Sequence, residues 1–136
     1  MISGRPPPFR YRLSASRERA LALRRELRAW LHAAGLGERA AFEVGLACWE
    51  AVTNAIEHPL TPTSPVIDIT AAIENKDVTV TIRDYGAWRA RPRRKDGGLG
   101  FPLMRSMMNS VNVDHRPEGT RITLSRRLAQ NRVLSS

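Results

Sequence analysis

Residues 42–58 read Phe-Glu-Val-Gly-Leu-Ala-Cys-Trp-Glu-Ala-Val-Thr-Asn-Ala-Ile-Glu-His, and Pro59 follows at once. At about 100° per residue the spacing predicts a helix with Phe42, Gly45, Leu46, Trp49, Val52, Thr53 and Ile56 on its apolar side. Glu43, Glu50, Asn54, Glu57 and His58 gather on another side. Glu50 and Asn54, four residues apart, stack one turn over the other. Pro59 disfavours the α conformation at His58, so the helix is expected to end there. A carboxylate and a carboxamide so placed can offer a proton acceptor beside a neutral oxygen ligand for a hard cation. The plainer reading is an amphipathic helix with solvated charges, and only matching chemistry elsewhere in the chain displaces it.

Toward the N-terminus, Arg17 to Ala34 carries Ala20, Leu23, Leu27, Trp30 and Leu31 at helical spacing, with Gly35 as the stop and Ser14 or Ser16 as the cap. Arg17, Arg19, Arg24, Arg25 and Arg28 cover the other side of this helix, as a solvated face or as a docking surface for an acidic partner. Before it, Phe9, Tyr11 and Leu13 alternate with Arg10 and Arg12, a strand signal. Residues 1–8, with the Pro6-Pro7-Pro8 triplet, read as a flexible lead.

Toward the C-terminus, Pro59 to Pro65 reads as a turn-rich loop. Val66 to Ile73 and Val78 to Ile82 are β-branched runs joined by a Glu74-Asn75-Lys76-Asp77 hairpin turn. The second run leads into Arg83-Asp84-Tyr85-Gly86. From Ala87 to Gly100 the chain is basic and glycine-hinged, with Arg89, Arg91, Arg93, Arg94 and Lys95 ahead of Asp96-Gly97-Gly98-Leu99-Gly100. Phe101 to Val111 is predicted helical, its methionines serving as core filler. Residues 112–115 and 120–124 complete the chain as two strands around a Pro117-Glu118-Gly119 turn, and a tail runs from Ala129. At 136 residues the chain is expected to form one domain with a single core.

A glycine loop feeding a helix N-terminus gathers free amides and the helix dipole at one spot, an arrangement suited to phosphate. Gly98 and Gly100 stand in that position. Asp84 at a strand end can accept from an amino group, and Gly86 lets a flat ring approach the backbone. Each element taken singly is also an ordinary turn. Their order is specific: Glu-x-x-x-Asn-x-x-x-His on a helix, two strands, Asp-x-Gly, a Gly-x-Gly loop opening a helix, and Gly-Thr at the last strand. This set resembles the Bergerat-type ATP-binding domain of histidine kinases, gyrase-type ATPases, heat-shock chaperones and MutL. Within that superfamily it is most similar to the anti-sigma-factor serine-protein kinases of the RsbW/SpoIIAB type, from about Phe9 to Leu128. The fold this implies is one domain over residues 9–128, an α+β two-layer sandwich with a mixed, mainly antiparallel sheet and three helices on one face.

The resemblance implies a role for each matched residue. Asn54 would ligate Mg²⁺ on the ATP phosphates, and Glu50 would act as general base toward a protein hydroxyl. Asp84 would accept the adenine amino group, with Gly86 beneath the ring and Thr120 nearby through water. Gly98 and Gly100 would wrap the phosphates. It also implies a sigma factor and a STAS-type anti-sigma-factor antagonist as partners, and a homodimer. His58 reads either as a helix-end structural residue or as a group near the phosphates. Trp88 stands where the superfold usually has a second glycine after Asp-x-Gly, and the segment between Gly86 and Gly98 is short.

Composition narrows the rest. Lys and Arg number 22 against 13 Asp and Glu, a formal charge of +9 that favours acidic or polyanionic partners. No base-reading motif or aromatic platform accompanies it, so direct nucleic-acid binding is not expected. A single cysteine, Cys48, leaves no intrachain disulfide and is read as core packing. Arg5-Pro6-Pro7-Pro8 occupies the place of a signal-peptide apolar region, and no uncharged run approaches the roughly 18 residues of a membrane span. A cytoplasmic protein is expected. Two function classes remain: a protein kinase in a partner-switching circuit, and a module that sequesters a partner without phosphoryl transfer.

Overall fold

The computed structural model describes residues 6–14, 16–57, 61–87 and 100–128. Eight elements follow in the order β1 (Phe9–Ser14), α1 (Arg17–Ala33), α2 (Glu38–Glu57), β2 (Thr61–Glu74), β3 (Asp77–Ala87), α3 (Gly100–Met107), β4 (Ser110–Arg116) and β5 (Gly119–Arg127). The strands form one sheet in the order β1-β2-β3-β5-β4. Each of its four pairings is antiparallel, so the expected mainly antiparallel sheet has no parallel pair among the described residues.

Strand alternation sorts the sheet into two faces. Leu13, Ile67, Ile69, Ala71, Val78, Val80, Ile82, Ile122 and Leu124 are buried on the helix side. The residues that alternate with them along the strands, Arg12, Asp68, Thr70, Thr81, Arg83, Arg121 and Thr123, lie on the other face. The β2–β3 hairpin closes through Asn75 and Lys76, both at positive φ (48° and 71°), the combination a two-residue hairpin turn requires.

Helix α1 starts where Ser16 accepts the Arg19 amide at 3.2 Å. It buries Ala20, Leu23, Leu27 and Leu31, the stripe expected from spacing. Its end is a Schellman turn. The Leu36 amide donates to the Leu31 carbonyl at 3.1 Å and the Gly35 amide to that of His32 at 2.9 Å. Gly35 holds φ +100°, and Leu36 drops back into the core. The end of the N-terminal lead is tied down as well: Trp30 Nε1 donates to the Pro7 carbonyl at 2.9 Å.

Three expectations need correction. The sheet-facing seam of α2 is Ala41, Val44, Ala47, Cys48, Ala51 and Val52, one residue earlier along the helix than the Phe42–Trp49 stripe. Both stripes are apolar, but the small one lets the helix backbone approach the sheet. Phe42 is left 48% exposed, and Trp49 lies against α1 beneath Arg24. Second, Thr61 to Pro65 belongs to β2 and not to a loop. Thr61 pairs with Ala87 and Pro62 with Gly86, and an irregularity between Pro62 and Ile67 absorbs the second proline. Third, α3 stops at Met107, and Val111 belongs to β4. Asn109 ends the helix by binding β5 twice: its amide donates to Ser125 O at 2.8 Å, and its Oδ1 accepts the Arg127 amide at 2.6 Å. Met104 and Met108 are buried, as expected of core filler.

Candidate functional site

Helix α2 supplies the first pair of groups. Glu43, Glu50 and Asn54 sit at i, i+7 and i+11, which places them within about 40° of one another on one flank. Glu43 identifies that flank. Its carboxylate pairs with Arg126 of β5, whose Nη1 also donates to the carbonyl of Met107, the last residue of α3, at 3.4 Å. On the opposite flank the Arg24 guanidinium of α1 stands 5.3 Å from the centre of the Trp49 ring. Glu50 and Asn54 are therefore on the α3 side, and both are half-buried. Neither side chain has a hydrogen bond or ion pair to another described residue.

Strand β3 brings the second group. Asp84 follows buried Ile82 by two positions, so its side chain is on the helix side of the sheet. Its Oδ1 accepts the amide of Thr120 at 3.3 Å. Thr120 is buried, and its hydroxyl lies 3.2 Å from His115 Nδ1. Gly119 makes this approach possible: a Cβ there would stand 2.1 Å from the Asp84 carbonyl oxygen. Asp84 and Thr120, 36 residues apart, are thus joined directly.

Gly86 pairs opposite Pro62 near the end of β3, and Gly100 opens α3. Gly98, His58, Trp88 and the whole basic segment 88–99 lie outside the described residues. Among the described residues no three His, Cys, Asp or Glu side chains gather as a metal cluster. Asn54 offers one neutral oxygen, which together with phosphate and water would suit Mg²⁺.

Charges around the site are set by pairing. Arg126, and after it Arg39, holds the Glu43 carboxyl below the usual carboxylate range. Burial alone pushes the Cys48 thiol up to about 12, leaving it inert as core packing. Helical spacing places Glu43 on the side of Glu50 and Asn54 without giving it a partner, and the structure supplies Arg126. No local signal points to His115, which meets Thr120 only through the β4–β5 register.

A family model for the histidine kinase-like ATPase domain matches residues 13–126. The chain belongs to that family. Within it the chain stands with the anti-sigma factors. It is 31% identical over 100 residues to the anti-sigma F factor of Clostridium acetobutylicum, covering 64% of this chain and 70% of that protein. Against the anti-sigma F factor of Bacillus subtilis it is 31% identical over 106 residues, covering 68% and 73%. Among solved structures, the RsbU and RsbW domains of a Mycobacterium tuberculosis protein match with a TM-score of 0.77 and 26% identity. That match covers 92% of this chain and 33% of the other, so the chain corresponds to about a third of that solved protein. The blue-light activated histidine kinase of Erythrobacter litoralis shares the fold, with a TM-score of 0.61 at 23% identity over 72% of this chain and 33% of that one. No helix among the described residues is long and apolar enough to cross a membrane.

Proposed function

We propose that the chain is an ATP-dependent anti-sigma factor that phosphorylates a serine or threonine of a STAS-type antagonist and holds a sigma factor in a partner-switching circuit. The observation that carries this reading is the placement of two sets of groups. Glu50 and Asn54 share the α3-side flank of α2, and Asp84 joined to Thr120 lies on the same helix side of the sheet. In this reading Asp84 would accept a hydrogen bond from the adenine amino group and Gly86 would leave room for the ring. Asn54 Oδ1 would hold Mg²⁺, and Gly98 and Gly100 would bind the phosphates. Bound Mg²⁺ supplies charge neutralisation, the main requirement of phosphoryl transfer. Glu50 accepts the proton of the attacking hydroxyl, a contribution of about 10²–10⁴-fold.

For the partner, support comes from α1. Glu18, Leu21, Arg24, Arg25 and Arg28 line a groove of about 400 Å³ on the basic side of that helix, and Leu21 is 52% exposed. An exposed leucine beside three arginines, with Glu18 the one acidic group in the lining, suits a mainly acidic protein surface. The same groove would serve the second reading, sequestration of a partner without transfer.

Two measurements separate the readings. Mg²⁺–ATP is expected to raise the melting temperature of the wild type and not that of Asn54→Ala. Labelled phosphate should pass from ATP to an antagonist with the wild type and not with Glu50→Gln. A nucleotide shift with no transfer favours the sequestration module, and no shift at all overturns nucleotide binding.

A further inference from the structure

Behind Asp84, on the open face of the sheet, four side chains from three strands meet. Arg12 of β1 and Asp68 of β2 are register partners joined by a two-pronged fork, Nε to Oδ1 at 2.7 Å and Nη2 to Oδ2 at 2.9 Å. The Tyr85 hydroxyl donates to the same Oδ2 at 2.5 Å. Above the Tyr85 ring, the Arg83 guanidinium stands 4.8 Å from the centroid. Arg12 holds the Asp68 carboxyl below its usual range, and donation to Asp68 keeps the Tyr85 phenol protonated to higher pH than usual.

The place of this cluster matters more than its strength. Arg12 is 68% exposed, and an ion pair that open to water adds little to global stability. Yet the cluster sits where the sheet ladder thins. β5 pairs with β3 from Asp77 only as far as Arg83. On the other side β2 is opposite Asp84 at Ile67 and opposite Gly86 at Pro62, with the register shifting between them. Tyr85 is the middle residue of Asp84-Tyr85-Gly86. Its side chain points away from the helices, and the two flanking residues carry the candidate adenine contacts.

We infer that the Arg12–Asp68–Tyr85 clamp is a positioning element for adenine recognition. By pinning Tyr85 from the open face, it sets the height of the Asp84 carboxylate and of the Gly86 backbone on the helix face. Tyr85 touches no nucleotide in this scheme; it acts through its neighbours. The inference rests on the nucleotide reading above and deepens it.

Tyr85→Phe keeps the ring beneath Arg83 and removes the hydroxyl, and Asp68→Asn weakens the same clamp from the β2 side. Dissociation constants for Mg²⁺–ATP and Mg²⁺–GTP, with melting temperatures, are measured on the full chain by calorimetry and thermal unfolding. GTP lacks the amino group that Asp84 would read. Both variants are expected to weaken ATP by about 5- to 10-fold while GTP changes less than about 2-fold, so that the preference for ATP falls. Melting temperatures should stay within about 3 °C of wild type. An unchanged ATP/GTP ratio in both variants overturns the inference, as does a parallel loss of both nucleotides with a large drop in melting temperature. Wild-type protein that binds neither nucleotide overturns the nucleotide reading itself.

Discussion

Alanine at Gly119 probes the tightest backbone approach in the candidate site. The added Cβ would lie 2.1 Å from the Asp84 carbonyl oxygen, and 3.0 Å from both the Asp84 carbonyl carbon and the Tyr85 Cα. Comfortable contacts of this kind fall at about 3.5–4.0 Å. All three neighbours are main-chain atoms, so no side-chain rotation relieves the overlap. Gly119 also holds φ +149°, a region that costs other residues roughly 1–3 kcal/mol. Forced overpacking adds about 1–3 kcal/mol. The sum centres near 4 kcal/mol, roughly two-fifths of the middle of the 5–15 kcal/mol range by which such domains are stable. For a chain of this size the melting temperature should drop by about 15 °C. Any backbone shift that relieves the clash also pulls the Thr120 amide from Asp84 Oδ1, now 3.3 Å away, so ATP affinity should fall with stability. Thermal unfolding followed by circular dichroism, with and without Mg²⁺–ATP, reads both effects. A Gly119→Ala protein melting within about 3 °C of wild type would refute the reasoning.

Glu43→Gln removes the charge that Arg126 pairs with, at side chains only 23% and 22% exposed, and should cost about 1 kcal/mol at neutral pH. Because the folded carboxyl titrates below its ordinary value of 4.5, the stabilisation is complete above that value and is lost as pH falls through the lower folded one. Urea unfolding of both proteins from neutral to acid pH should therefore show the gap closing in acid, and a gap that widens there contradicts the assignment. With its thiol pushed up to about 12, Cys48 should resist a disulfide reagent at mildly alkaline pH in the folded protein and react fully in denaturant. Rapid labelling of the native chain would place the thiol at the surface. Gly45 lies inside α2 with open space where a Cβ would go. Gly45→Ala should raise stability by about 0.5–1 kcal/mol, and a lower melting temperature would count against the helix as described.

Element types were legible in the sequence because most segments have one dominant period. The Leu23–Leu27–Leu31 stripe and the alternation of Phe9, Tyr11 and Leu13 admit one reading each, and the structure follows them. Helix α2 was harder to orient, since two apolar stripes run along it one residue apart. Summed hydrophobicity favours the bulky stripe with Phe42 and Trp49, whereas close packing on a sheet favours the alanines. The Pro59–Pro65 and Met108–Val111 boundaries depended on partners far along the chain, Ala87 and Gly86 for the first and Ser125 and Arg127 for the second. Within the site, the four-residue spacing of Glu50 and Asn54 was visible locally. The meeting of Asp84 with Thr120, and the clamp from Arg12 to Tyr85, are products of strand register that no local window contains.

The alanine seam of α2 has a further consequence. A rod seated on methyl groups has no slack beneath it: Ala47, Cys48 and Ala51 are wholly enclosed. A larger side chain at any of them would act as a shim, lifting Glu50 and Asn54 together while Asp84 stays fixed in the sheet below. Under the proposed function, the spacing of Glu50 and Asn54 from Asp84 would thus depend on the volumes of residues that touch no ligand, and drift in that buried row would be felt in nucleotide binding before it unfolded the chain.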